Sequence, residues 1–487
     1  MLAGAAPAAA VVPDGPQFQF STGPAARPSL ASDSDGDVLG AWEADDGASG
    51  GIFARLRTPS GDFPLGADNR LNSFFRGSQL APAAAALGND TYVVAWESAN
   101  QDPPRDNDGI STDLGGIYKR HVTLEGAAAG GEAIVPTTTA GKQRAPAVAA
   151  AAGGDYVVVW VSTAGANSDN GSIQGQRFNA SGNPEGGQFP VSSPTEVHDT
   201  DPAVAMAPDG RFVVTWVHAH PGDVGNDDVG IHGRRFGADG TALGSEFTVN
   251  PTTAGPQQEP AVAPAPDGGF VAVWTGPDGS SRGIFGQRYD DSGQRVGAEF
   301  RVNADPVGID INAAVGSDGA GNFVVSWTHQ SNEDTDVRAR RYLADGTPDA
   351  QGEFVVYTGA LFSTDERGGI SSVAVDDAGN FVVGWHQRFL STGLYVDPIL
   401  AQAYLVDPRC SDGTDNDGDG ETDYPGDQGC ADADDVTEDP DAPQCSDRLD
   451  NDGDGQAGYP DDQGCTSTLD DSEAPDAPQC SDRLDND

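Results

Sequence analysis

Asp415, Asp417 and Asp419 alternate with small residues in Asp-Asn-Asp-Gly-Asp-Gly, and Gly420 closes the phrase. Carboxylates at every second position of a tight, glycine-relieved turn can converge on one hard cation, and calcium takes six to eight such oxygens. The phrase returns as Asp450, Asp452, Asp454 and Gly455. Asp423 is the expected fourth carboxylate of the first loop, and Asp412 and Asp447 are outer members of the two shells. Gly458 stands where the first loop has Asp423, so the second Ca2+ site is expected to be the weaker. Neither loop is an EF-hand: its twelfth position is Gly426 or Asp461, not a bidentate glutamate. The plain alternative is a solvated acidic run.

The cysteines share this repeat. All five lie after residue 409, and each complete copy holds a pair 20 residues apart, Cys410 with Cys430 and Cys445 with Cys465. That spacing suggests two disulfides and an oxidising compartment. Cys480 opens a third copy at the same 35-residue offset and is expected to be unpaired within this sequence. Each closed loop would restrict the unfolded chain by roughly 3 kcal/mol.

With its Cys-Ser-Asp…Asp-Asn-Asp-Gly-Asp-Gly…Gly-Cys units, the tail resembles the thrombospondin type 3 repeat. It is similar to aspartate-rich calcium modules of secreted and surface proteins from myxobacteria and related bacteria. The segment Gly283 to Asn303 likewise resembles repeats of large secreted bacterial proteins. The resemblance implies an extracellular, calcium-stiffened stalk behind a β scaffold.

The elements ahead of the tail follow a second repeat. Trp42, Trp96, Trp160, Trp216, Trp274, Trp327 and Trp385 recur at intervals of 53 to 64 residues, each closing a phrase such as Phe-Val-Val-Ser-Trp. Period-two alternation, β-branched residues and Asp-Gly turns predict four antiparallel strands per repeat. The fold class is therefore all-β, a seven-bladed β-propeller of four-stranded antiparallel blades. The tryptophans are expected to be core packing. The last repeat lacks its fourth strand, and Gln17 to Thr22 supplies a matching one, so Phe18–Phe20 should pair beside Ile399–Tyr404 and close the ring. The expected division is a disordered N-terminus or signal-peptide remnant at 1–15, the propeller at 16–406 and the Cys/Asp-rich repeats at 407–487.

A formal charge of −50 argues against nucleic acid and anionic membrane surfaces as partners, and no apolar run is long enough for a membrane span. Thiol, Gly-x-Ser-x-Gly and His-Glu-x-x-His chemistries have no motif here. His218, His220, His329 and His386 follow second strands. With the acidic loops Asp45-Asp46, Asp102 to Asp108, Asp223 to Asp228 and Glu333 to Asp336, they would face the usual ligand side of a propeller. The functional expectation is a secreted or cell-surface, non-catalytic interaction and adhesion protein, a monomer binding an extracellular glycan or protein. Its alternative is a carbohydrate-active enzyme, hydrolase or lyase, or a lectin-like glycan binder using the acidic loop face.

Overall fold

The computed structural model describes residues 11–406 apart from 48, 89–90, 100, 102–114, 164–170, 194–197, 220–228, 280, 332–333, 361–370 and 387–397. The expected calcium ligands, all five cysteines and His220 lie outside the described residues. Pro13–Tyr404 form one compact unit. Every regular element among the described residues is a strand.

The strands group in fours, antiparallel and in chain order. One set runs His198–Met206, Phe212–Ala219, Gly230–Phe236 and Phe247–Thr248. Its first hairpin turns at Pro208-Asp209-Gly210. Ala207 N–H donates to the Arg211 carbonyl at 2.8 Å and Gly210 N–H to the Ala207 carbonyl at 2.9 Å. Gly210 takes φ +84°, which a residue with a Cβ rarely adopts. The same two-bond turn joins first and second strands at 33–37, 151–155, 265–269, 318–322 and 376–380. Five sets stand as separate sheets. The sets from Gln258–Pro264 and from Ile309–Ser317 are linked by a single parallel bridge, Arg282 to Ile309.

Consecutive sets meet at their first strands. Ala25–Ser32, Gln79–Leu87, Gln143–Ala150, His198–Met206, Gln258–Pro264, Ile309–Ser317 and Ser371–Val375 each touch the next, and Ser371–Val375 touches Ala25–Ser32. The last set takes its outer strand from the N-terminus, in the order Val11–Gln19, Ile399–Val406, Phe381–His386, Ser371–Val375. Phe20 N–H extends that pairing to the Ile399 carbonyl at 2.9 Å. The architecture is propeller-like, a repeated four-stranded sheet.

Apolar packing lies between sets. Trp96 packs with Leu39, Ile52 and Leu56 of the preceding set, Trp216 with Val157 and Val159, and Trp42 with Phe20, Ile399 and Ala401. Each second strand is therefore covered on both faces, which is why Tyr156–Val161 and Phe212–Val217 read as unbroken apolar runs. All seven tryptophans are at most 1% exposed, as packing residues should be.

Candidate functional site

The first strand of six sets carries a β-bulge at one repeated place. Register slips between Ala26/Ser29, Leu80/Ala83, Arg144/Ala147, Thr200/Ala203, Gln258/Ala261 and Ile311/Ala314. The bulged residue is left-handed without being glycine: Arg27, Ala81, Ala145, Asp201, Glu259 and Asn312 have φ between +49° and +56°. Five of these six precede a proline, which tolerates a bulge because it has no N–H to give the ladder. A left-handed residue with a side chain carries strain of roughly 1–3 kcal/mol, and such conformations gather where backbone groups are aimed at something.

Three of these bulges aim a backbone N–H group at a carboxylate. Ala81 N–H donates to Glu43 Oε1 at 2.5 Å, Ala145 N–H to Glu97 Oε2 at 3.4 Å and Asn312 N–H to Glu259 Oε2 at 2.7 Å. In each case the carboxylate belongs to the set before. Glu43 also pairs with Arg27 at 2.9 Å, and Glu259 accepts from Thr275 Oγ1 at 2.8 Å. The result is a charged rim along the starts of the first strands.

Two rim carboxyls are held in their protonated form more readily than usual. Burial pushes Glu97 above the ordinary range and nearby Glu43 adds to it, while the Ala145 N–H, Arg144 and Arg27 pull the other way. Asp201 is also raised by lost hydration, against the Thr200 hydroxyl and Arg144. The residue is exposed by surface area, although protein atoms crowd its carboxyl. Arg144 is within electrostatic reach of both carboxyls. Three consecutive sets thus contribute Glu97, Arg144 and Asp201. Carboxyls whose ionisation is disfavoured by burial are the kind of group that general acid–base work uses.

The histidines singled out from the sequence do something else. His329 Nδ1 bonds Asp310 Oδ1 at 2.8 Å, and Asp310 also accepts from Trp327 Nε1 at 2.9 Å and Asn303 Nδ2 at 2.7 Å. His218 Nδ1 bonds Asp199 Oδ1 at 2.7 Å, and its ring stacks on His232 with centroids 4.1 Å apart. These are struts of separate sets, with His329 and His386 buried. Asp45 and Asp46 cap their own turn, accepting from Gly47 N–H at 2.8 Å and Ser49 N–H at 3.0 Å. Of the other acidic loops, 102–108, 223–228 and Glu333 lie outside the described residues, and Asp336 pairs with Arg338 at 3.1 Å. Among the described residues no group of three or more His, Cys, Asp or Glu is arranged to hold a metal ion.

A signal for the rim was present in the sequence. Asp201 and Glu259 occupy the repeat position held by Ala81 and Ala145. Glu43 and Glu97 follow their tryptophans where Val161, Val217, Thr275 and Thr328 follow theirs. Acidic side chains at these two repeat positions, the bulge and the residue after the tryptophan, can be read from the aligned repeats.

Neither a protein-family model nor a curated protein sequence matches the chain. Solved structures are similar to it at low identity. A Dyadobacter fermentans protein of unknown function aligns over 81% of this chain and 99% of its own, at 14% identity and TM-score 0.47. A Penicillium chrysogenum alpha-L-arabinanase complexed with arabinobiose aligns over 64% and 94%, at 15% identity and TM-score 0.42. A polysaccharide lyase aligns over 80% and 93%, at 10% identity and TM-score 0.44. The expectation of a non-catalytic adhesion module is corrected here. Among the solved structures to which the chain is similar, several are by name hydrolases and lyases of glycans, which is the alternative of a carbohydrate-active protein rather than an adhesion module. That expectation rested on contiguous motifs, which do not register residues about one repeat apart such as Glu97, Arg144 and Asp201.

Proposed function

We propose that this chain is a carbohydrate-active enzyme, a hydrolase or lyase, working at the bulge rim. On this reading the rim is the mouth of the central channel of a closed, seven-bladed propeller. The cyclic contact of first strands and the N-terminal outer strand support that closure. What supports the reading is that Glu97 and Asp201 both lie within electrostatic reach of Arg144, the three coming from consecutive sets, with burial raising each carboxyl above its ordinary range. A sugar ring entering there would meet groups able to donate and accept a proton. A lectin with one site per blade fits less well, because charge varies round the rim: Ala81 and Ala145 stand where Asp201 and Glu259 do. The test is release of reducing ends from a polysaccharide panel by the full chain, beside Glu97→Gln and Asp201→Asn. Activity that survives both substitutions would refute the site.

The rest of the assignment keeps the sequence boundaries, with the propeller at 16–406 and calcium repeats at 407–487. Asp415, Asp417, Asp419 and Asp423 would bind one Ca2+, and Asp450, Asp452 and Asp454 a second more weakly, with disulfides Cys410–Cys430 and Cys445–Cys465. Modules of this kind bind at roughly 10⁻⁴–10⁻³ M, which suits a monomeric protein outside the cell. Calorimetry of the disulfide-bonded full chain should show calcium heat at millimolar concentration, and its absence would leave a plain acidic tail.

A further inference from the structure

At the strand ends away from the bulge rim, two third-strand arginines latch their set to the next. Arg235 donates to the carbonyls of Asp291 and Ser292, and Arg288 to those of Ala344 and Asp345, each in the turn between third and fourth strands of the following set. Arg177 holds the same place one set earlier, paired with Val157 as Arg235 is with Val213 and Arg288 with Val271. Its stem follows the same course: a Cβ added at Gly240 would meet Arg177 Cδ at 2.9 Å, as one at Gly346 would meet Arg288 Cδ at 2.9 Å. Its head does not. Nη1 of Arg235 and of Arg288 would lie 2.7 and 2.9 Å from such a Cβ at Gly293 and Gly346, whereas Arg177 Nη2 pairs with Glu185 of its own set at 2.7 Å. Glu185 stands opposite Arg177 in the ladder, where Val296 stands opposite Arg288. The matching carbonyls, Ala238 and Asp239, thus receive no protein donor among the described residues. Arg341 also turns to its own set, to Asp349 at 2.8 Å, but the last set takes its outer strands from opposite ends of the chain and has no such turn to offer.

A cavity of about 170 Å³ opens at this interface, lined by Asp155, Tyr156 and Arg177 on one side and Met206, Asp209 and Ala238 on the other. The short Asp155 leaves the room. At the next interface its counterpart is Arg211, which crosses to Gly268 and leaves about 20 Å³. A void of about 150 Å³ takes up benzene, so this one has space for a planar guanidinium and part of its stem. Buried Tyr156 and Met206 give an apolar wall along which an alkyl stem can lie. The Asp155 carboxylate accepts the Ala180 N–H at 3.1 Å and is paired with no cation among the described residues. We propose that this cavity binds the guanidinium of an arginine that comes from outside the chain, free or within a polypeptide, in the place that Arg235 and Arg288 fill at the next two interfaces. The inference is independent of the rim and of glycan chemistry. A planar fork of donors matches two adjacent carbonyls and a carboxylate, and the formal charge of −50 draws cations toward the protein.

The experiment is calorimetry of the full chain with agmatine, with N-acetyl-arginine amide and with a capped Gly-Arg-Gly peptide; N-acetyl-citrulline amide and butylamine are the controls. Saturable binding of the guanidinium probes, weakening with added salt, is expected. Agmatine binding as tightly as the peptide points to a free small molecule, and tighter binding of the peptide to a partner's arginine. Asp155→Asn should weaken binding by about fivefold, the loss of an exposed charge pair. Glu185→Gln should free Arg177 to take the Ala238 and Asp239 carbonyls and displace the probe, since a tethered guanidinium competes at an effective concentration of millimolar order. Adding Arg177→Met to Glu185→Gln should restore binding, and a melt no lower than the parent's shows that each variant is folded. No saturable heat with any guanidinium probe, citrulline or butylamine binding as well as agmatine, or binding unmoved by Glu185→Gln would overturn the inference.

Discussion

Gln402 Nε2 donates to the carbonyl of Gly15 at 3.0 Å, across 387 positions of sequence. The bond has counterparts between third and fourth strands of other sets. Arg120 reaches the Gly130 carbonyl at 3.0 Å, Gln176 that of Gly186 at 3.4 Å, Gln287 that of Gly297 at 3.4 Å, and Arg55 that of Gly66 at 3.1 Å. All five glycines are left-handed, with φ from +64° to +71°, which turns the carbonyl out of the ladder and toward the long side chain. By this criterion Val11–Gln19 occupies the place of a fourth strand.

Its contribution can be measured. An added Cβ at Gly15 meets nothing within 4 Å, so Gly15→Ala should lower stability by backbone strain alone, about 1–2 kcal/mol. Phe20 is fully buried against Trp42 and Ile399, and Phe20→Ala should cost about 3–5 kcal/mol. Removal of residues 1–22 should cost more than either. Denaturant unfolding would check all three, and an unchanged midpoint for the truncation would dismiss the strand's role.

The scaffold was legible because it depends on local pattern. The tryptophan phrase fixes one strand per repeat, and Asp-Gly turns fix its neighbours, as with Phe212–Ala219 followed by Gly230–Phe236. The rim was not legible in the same way. Glu97, Arg144 and Asp201 are unremarkable in their own neighbourhoods and become a group only when sets are superposed. The histidines misled for the complementary reason. His218 and His329 stand next to their strands' ends, but each is tied to an aspartate of its own set.

Asp310 gives a direct comparison between strut and site. It accepts three buried side-chain donors, from Trp327, His329 and Asn303. Asp310→Ala would strand them, at about 1–3 kcal/mol for each one left unmet. Stability should fall by about 3–5 kcal/mol in all, while the folded fraction keeps its full glycan-cleaving rate. A rate loss in protein that is still folded would bring His329 back into the chemistry.

Lys119 predicts an alkaline rise in stability. Its ammonium lies 4.3 Å from the centre of the Phe178 ring, donates to the Gly182 carbonyl at 3.1 Å, and is pushed down to about 8 by burial. The unfolded chain binds this proton up to about pH 10.4, so between pH 8 and that value it holds more protons than the folded chain. Stability should therefore rise with pH from about 8, by at most about 3 kcal/mol. The gain should be read before pH 10, since buried Tyr156 and Tyr404 ionise late and favour the unfolded state above that. Lys119→Met should flatten the rise.

The rim carboxyls predict a trade between stability and activity. Glu97 and Asp201 take up protons more readily folded than unfolded, so the folded chain binds more protons just above the ordinary carboxylate range. Stability contributed by their protonated forms is therefore present at low pH and lost as pH rises through the folded pKa values. Glu97→Gln and Asp201→Asn keep a neutral, hydrogen-bonding group of the same shape at every pH. Each variant should melt above the parent at pH 7, and the difference should shrink as pH falls through the folded pKa values and the parent's carboxyls take up their protons. The same substitutions should abolish glycan cleavage. In the parent, activity should fall at the alkaline side as the higher of the two groups loses its proton. A variant that melts below the parent at pH 7 would mean that the ionised carboxylate is a structural anchor, and the rim would then be scaffold rather than site.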